Sequence, residues 1–270
     1  LSRIEERFKQ IRSQKGKALV AFITAGDPDL ATTRELVMVL EQGGVDIVEL
    51  GVPFSDPLAD GPVIQASSQR SLKQGTSLRK IIQLVTDIRK ESQLPIVLMS
   101  SFNPVYVYGQ KPFAEDAVRA GVDGVIVPDL PPEEAGEFLE HARKSGLDTI
   151  FLLAPTSTPE RIRMVAERSR GFIYYISLTG TTGMRNALST GLKEKLQLIR
   201  GAADLPVLVG FGISGPQQAS EAARVSDGVI IGSAIVSKIA EEADPVKRRE
   251  SVARFVGEVR KALNEVESGA

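Results

Sequence analysis

Short runs of β-branched and other apolar residues recur along the chain at 19–24, 47–51, 96–99, 124–127, 149–153, 173–177, 207–210 and 228–231. They are too continuous to alternate apolar with polar positions, which predicts strands of a parallel sheet covered by helices. Between them the apolar spacing shifts to about 3.6 residues, the period of a helix with one buried face. Leu78, Ile81, Ile82, Val85 and Ile88 form one such stripe, and Phe113, Ala114 and Val118 another. The clearest is Val252, Phe255, Val256, Val259 and Leu263. Eight strands alternating with helices predict an α/β protein, a (β/α)8 TIM barrel, whose usual size is about 250 residues. An open doubly wound sheet ranks second, because no G-x-G-x-x-G follows the first strand. An extra N-terminal helix over 1–15, apolar at Leu1, Ile4, Phe8 and Ile11, is placed to close the lower mouth of the barrel. No linker or low-complexity tract interrupts the pattern, so residues 1–270 are expected to form one domain.

One of these runs carries an acid. Glu49 sits among Ile47, Val48 and Leu50, where a buried strand has no packing use for a carboxylate. A Gly/Pro-rich loop over 53–61 follows at once and adds Asp56 and Asp60. Buried Glu is rare unless it is paired or hydrogen-bonded. Glu49 is therefore either a satisfied structural acid or a tuned catalytic one, and its place at a strand end before a loop favours catalysis.

Composition narrows the chemistry. With 33 basic and 34 acidic side chains the net charge is -1, so no global field draws the chain to nucleic acid or to an anionic membrane. A negatively charged ligand needs a local site. The absence of cysteine removes disulfides, thiolate nucleophiles and Cys-ligated metals. The single histidine, His141, lies in the charged helical stretch 133–144 and is expected on a helix surface. One histidine excludes a multi-histidine zinc site; carboxylates alone remain for magnesium, and no metal is expected. No apolar stretch reaches the roughly 18–20 residues of a membrane span. The charged start is unlike a signal peptide, so the cytoplasm is the expected compartment. The chain begins without Met, which leaves an organelle open should a targeting segment have been removed.

Barrel enzymes act at the face where strands end and the following loops begin. Read in order, the strand ends offer Phe22 and Thr24, Glu49 then Asp60, Met99 with Asn103, Pro128-Asp129, Leu153, and Tyr174 followed by the Gly/Thr-rich stretch 177–183. Gly210-Phe211-Gly212-Ile213-Ser214 and Gly232-Ser233-Ala234 complete the ring. Glycines after the last two strands, beside helix starts, suit a phosphate: the backbone approaches closely and free N–H groups point at the anion. The helix dipole adds roughly half a positive charge, which compensates for the missing Lys or Arg. The alternative is that these glycines only make tight turns. Phe22, Met99, Val127 and Phe211 are candidates to pave a pocket for a flat ring. Tyr174 either hydrogen-bonds a catalytic acid or simply packs. The stretch 179–183 reads as a flap over the site.

These motifs resemble the tryptophan synthase α subunit family over essentially the whole chain. The resemblance rests on 48–61, on Phe22-Ile23-Thr24-Ala25-Gly26-Asp27-Pro28, on Asn103-Pro104 and Val127-Pro128-Asp129-Leu130-Pro131, on Thr182-Gly183, and on the two glycine motifs just named. It implies cleavage of indole-3-glycerol phosphate to indole and glyceraldehyde 3-phosphate without a cofactor in this chain. It also implies an α2β2 complex, in which a β subunit with pyridoxal phosphate condenses the indole with serine. By the same resemblance Glu49 shuttles the protons, Asp60 accepts a hydrogen bond from the indole N–H, and Tyr174 supports Glu49. Phe22 and Met99 contact the indole, Gly183, Gly212, Gly232 and Ser233 hold the phosphate, and Thr182 bonds to Asp60 as the loops close. The chain departs from the family at Ser101, where a Tyr is usual. A free-standing lyase of the family therefore stays open, as does a catalytically weak subunit that mainly activates its partner. Outside the family, another phosphate-binding barrel enzyme is the alternative, and fold alone does not separate it.

Overall fold

The computed structural model describes residues 2–57, 60–176, 185–210 and 212–266. Its strands are β1 (Ala18–Thr24), β2 (Ile47–Gly51), β3 (Ile96–Met99), β4 (Gly124–Ile126), β5 (Asp148–Ile150), β6 (Leu152–Leu153), β7 (Ile173–Ile176), β8 (Val207–Gly210) and β9 (Gly228–Ile231). Every pairing is parallel, in the order β5-β4-β3-β2-β1-β9-β8-β7-β6. The two ends of that order, β5 and β6, are separated in sequence only by Phe151. One stave thus lends its first half to β4 and its second half to β7, and the sheet closes into an eight-staved barrel. The expected single strand over 149–153 is split because its pairing partner changes in mid-strand.

The helices are α1 (Arg3–Ser13), α2 (Leu30–Gln42), α3 (Pro62–Lys73), α4 (Leu78–Ile88), α5 (Phe102–Tyr108), α6 (Gln110–Ala120), α7 (Gly136–Ser145), α8 (Pro159–Arg168), α9 (Arg185–Ala202), α10 (Pro216–Ala223), α11 (Ser233–Glu241) and α12 (Pro245–Asn264). Their starts follow local chemistry. Ser2, Asp29, Ser77, Thr158 and Asp244 accept hydrogen bonds from first-turn N–H groups, and Pro opens α3, α8, α10 and α12. The apolar stripes expected at 78–88 and 252–263 are the buried faces of α4 and α12.

Alternation along each strand divides the core in two. Leu19, Ala21, Ile23, Val48, Leu50, Ile96 and Leu98 face outward into the layer beneath the helices. Ala18, Val20, Ile47, Val97, Ile126, Ile150, Leu208 and Ile230 face inward and fill the barrel. Helix α1 plugs the lower mouth with Ile4, Phe8 and Ile11, and the Phe8 and Phe172 rings lie 6.0 Å apart. A repeated device holds that end. Asp46, Asp123 and Asp227, each just ahead of a strand, accept the N–H of Leu19, Ile96 and Val207 at 2.7, 2.8 and 2.8 Å. Arg7 and Arg260 pair with Asp46, and Arg3 and Arg89 with Asp123, so α1 is bolted to the barrel by buried carboxylates.

Candidate active site

The same alternation decides where Glu49 points. Ile47 enters the barrel core and Val48 and Leu50 enter the outer layer, so Glu49 faces inward, one step above the apolar fill. It is 1% exposed, and its Oε2 has no hydrogen-bond partner among the described residues. Burial, reinforced by the negative charge of Asp60, pushes its carboxyl up to about 8. That is the behaviour of an acid deprived of both water and a counter-charge. It is not a satisfied structural acid.

Glu49 opens onto a cavity of about 320 Å³ at the upper mouth, which Phe22, Asp60, Ile64, Met99, Tyr174, Gly212, Gly232 and Ser233 help to line. Asp60 stands just before α3 and is half-buried, and burial raises its carboxyl as well. Both acids rise, but only one is sealed from water. The sealed one is the better proton holder, because the Asp60 charge adds to the burial that raises it, and at neutral pH Glu49 keeps its proton. Tyr174 is buried beside Glu49, and its hydroxyl is driven well above the ordinary range by burial and then by the Glu49 charge. Among the described residues no hydrogen bond joins Tyr174 to the Glu49 Oε2, and the tyrosine lines the cavity.

Phe22, Ile64 and Val236 form a small apolar cluster, with Met99 packed against it. Across the cavity, Gly212 adopts φ +75°, and Gly232 precedes the first turn of α11. Because α11 begins at Ser233, its first N–H groups have no partner within the helix and lie where an anion is attracted. A second cavity of about 320 Å³ shares Phe22, Asp60, Ile64 and Met99 with the first and is rimmed by Ser100, Ser101, Pro128 and Asp129.

Eight of the candidate site residues meet in the first cavity: Glu49, Asp60, Tyr174, Phe22, Met99, Gly212, Gly232 and Ser233. Val127 is not brought in. Ile126 takes the inward position on β4, so Val127 turns outward into the helix-covered layer, and the expected pocket contact is corrected. Thr182, Gly183 and Phe211, and with them the stretch 179–183, lie outside the described residues. Ile64 and Ile230 line the cavity unanticipated. The first has a signal in the apolar residue one helical step after Asp60-Gly61-Pro62, and the second in the two-residue period that also turns Gly228 and Gly232 inward. His141 lies on α7, 3.8 Å from Glu137 and remote from this cavity's lining. Among the described residues no group of three His, Cys, Asp or Glu is placed to hold a metal ion. No described helix is long and apolar enough to cross a membrane.

Comparison with known proteins gives one answer. The tryptophan synthase alpha chain family matches residues 8–264. A tryptophan synthase alpha chain of Geobacter sp. (strain M21) is 51% identical over 97% of this chain and 98% of its own length. That of Geobacter sulfurreducens is 52% identical over 97% and 99%. The solved structure of tryptophan synthase subunit alpha from Legionella pneumophila str. Paris superposes with a TM-score of 0.91 at 35% identity, covering 98% of this chain and 100% of that one. A chain of tryptophan synthase from M. tuberculosis in its aminoacrylate-bound form gives 0.87 at 34% identity, covering 97% and 100%.

Proposed function

Because the chain belongs to the tryptophan synthase alpha chain family, the lyases that cleave indole-3-glycerol phosphate, we propose that Glu49 is the group that moves both protons of that cleavage and that Asp60 steadies the charge between them. The substrate lies with its phosphate at Gly212, Gly232 and the start of α11, and with its indole between Phe22 and Met99. Glu49, protonated before the reaction, gives its proton to indole C3, and the ring becomes an iminium cation. The Glu49 carboxylate then takes the proton of the hydroxyl on the carbon attached to C3. The oxygen electrons form the aldehyde carbonyl, the carbon–carbon bond breaks, and its electron pair returns to the ring to neutralise the iminium. Indole and glyceraldehyde 3-phosphate leave, and Glu49 ends as it began, with one proton.

A carboxyl held near 8 serves such a cycle better than one at an ordinary carboxylate value, because it both gives and takes a proton near neutral pH. Asp60, ionised, accepts the indole N–H and lowers the energy of the cation. The observation that carries this reading is the sealed, unpartnered Glu49 Oε2 in one cavity with Asp60. The reaction draws on no group outside the chain; pyridoxal phosphate belongs on the β partner. That partner supports a further assignment: it covers the exposed apolar side chains Tyr106 and Val107 on α5, next to the Ser101 rim. The Glu49 and Asp60 pair argues against a subunit that has lost its chemistry.

The test is release of indole from indole-3-glycerol phosphate, with and without a β subunit. Glu49→Gln, nearly isosteric, is expected to lower turnover by about 10² or more, the scale of general acid–base catalysis. Turnover within a few-fold of the native chain would remove Glu49 from this role.

A further inference from the structure

Helix α3 begins two residues after Asp60 and has one end in the site and one end bolted elsewhere. At its start, the Gln65 side chain donates to the Asp60 carbonyl at 2.8 Å, and Ile64 packs on Phe22 and Val236. Further along, three polar contacts tie the helix to the end of β1 and the loop after it. The Ser67 hydroxyl gives its proton to the Ile64 carbonyl at 2.8 Å, so Thr24 is the donor in the 2.6 Å contact between Thr24 and Ser67. The Ser71 hydroxyl donates to the Ala25 carbonyl at 2.6 Å. Arg70 grips Asp27 with two parallel bonds of 2.8 and 2.7 Å. The loop lies so close that a Cβ on Gly26 would sit 2.5 Å from Ser71 Oγ and 2.1 Å from Thr76 Oγ1.

Of these contacts, the Arg70 pair alone fixes a direction. A guanidinium meeting a carboxylate through two bonds sets angle as well as distance. Asp27 is almost wholly buried, and among the described residues Arg70, itself partly exposed, is the cation that pairs with it. The same loop continues from β1, which carries Phe22, and its Ala25 N–H is bonded to the Gly51 carbonyl of β2 at 2.9 Å. The frame that holds Glu49 and Phe22 therefore also holds α3.

We propose that Arg70 and Asp27 are positioning residues for Asp60: their two-point bond sets the axial place of α3 and through it the distance between the Asp60 carboxylate and the indole N–H. The inference rests on Asp60 accepting that N–H. Neither residue lines the cavity, so their effect on substrate is indirect. A carboxylate misplaced by an ångström loses most of its advantage in the transition state.

The experiment uses the full chain and a nonreactive analogue, indole carrying a phosphorylated propyl group at C3, together with its N-methyl counterpart. Their affinity ratio reads the hydrogen bond to Asp60 without turnover. Glycerol 3-phosphate reads the phosphate end alone. Arg70→Gln is expected to lower kcat by roughly 10–100-fold and to shrink the N–H over N-methyl preference, with glycerol 3-phosphate affinity within about twofold. Arg70→Lys keeps a cation for buried Asp27 but grips it at one point, and it is expected to show the same change in smaller measure. It decides the matter if Arg70→Gln does not fold. Unchanged kcat and preference in the folded variants would overturn the proposal, as would a parallel fall in glycerol 3-phosphate affinity, which marks general damage. If the native chain shows no N–H preference and Asp60→Asn turns over normally, the Asp60 reading itself fails. If those two behave as expected and only the Arg70 variants stay normal, the positioning role alone fails.

Discussion

The unpartnered Glu49 oxygen costs the fold stability, and the cost depends on pH. Its carboxyl lies near 8 in the folded chain against an ordinary value of 4.5. Between those values the folded state holds a proton that the unfolded state has lost. Stability therefore falls as pH rises through that window, by about 1.4 kcal/mol per pH unit from this group. Glu49→Gln cannot ionise, so its urea midpoint relative to the native chain is expected to improve from pH 5 to about pH 8 and then level off. A pH-independent difference would place the Glu49 carboxyl at an ordinary value. Activity reads the same group with the opposite interest. Since the first step donates the Glu49 proton, kcat/KM for indole-3-glycerol phosphate is expected to decline above about pH 8. A flat profile through pH 9 would mean that another acid supplies C3. Asp60 was legible from its sequence neighbourhood. The consequence for Glu49 was not, because the sequence does not give the distance over which one carboxylate raises the other.

At the scale of elements, the two-residue period of β2 does most of the placement. It turns Ile47, Glu49 and Gly51 to the inside, and Gly51 pairs with Thr24 and Met99 on its two neighbours. A Cβ on Gly51 would lie 2.5 Å from the Phe22 ring, so the smallest side chain already displaces the ring's wall. Overpacking of this kind costs about 1–3 kcal/mol, and 1.4 kcal/mol is tenfold in affinity. Gly51→Ala is therefore expected to raise KM for indole-3-glycerol phosphate roughly tenfold while glycerol 3-phosphate still binds normally; equal losses for both would mean the strand itself has shifted. The strands and the longer helices could be read from apolar runs because burial on both faces leaves few polar residues in them. Val127 was misread for the same reason: in a wholly apolar run nothing in the residue types tells inside from outside, and the phase comes from β4 starting at Gly124. The break at Phe151 was hidden because it depends on which strands flank the stave. The Asp46, Asp123 and Asp227 device had a signal in the recurring Asp ahead of a strand, but its backbone partners belong to other segments.

The whole molecule separates its two mouths by function. The upper one exposes glycine turns, two acids of unequal burial and a cavity; the lower one is closed by α1 and by Arg–Asp contacts that leave the carboxylates well partnered. Between them lies a packed layer of Val20, Ile47, Val97, Ile126 and Ile150, with no chemistry of its own. Interiors of that density hold few voids, so deleting a buried side chain is costly where it is made. Phe8 tests the division. It is almost fully buried against Phe172 in the plug, and truncating a buried Phe to Ala costs about 3–5 kcal/mol. Phe8→Ala is expected to unfold at markedly lower urea concentration, yet to release indole at a kcat within about twofold of the native chain wherever it is fully folded. Asp60→Asn is expected to do the reverse, keeping or raising its urea midpoint and losing turnover. If Phe8→Ala instead lowered kcat while far-UV circular dichroism and the cooperativity of unfolding were unchanged, the plug would be acting on the site through the barrel core. The two mouths would then be one mechanical unit, and the placement of Glu49 above the apolar fill would depend on helix α1 as much as on β2.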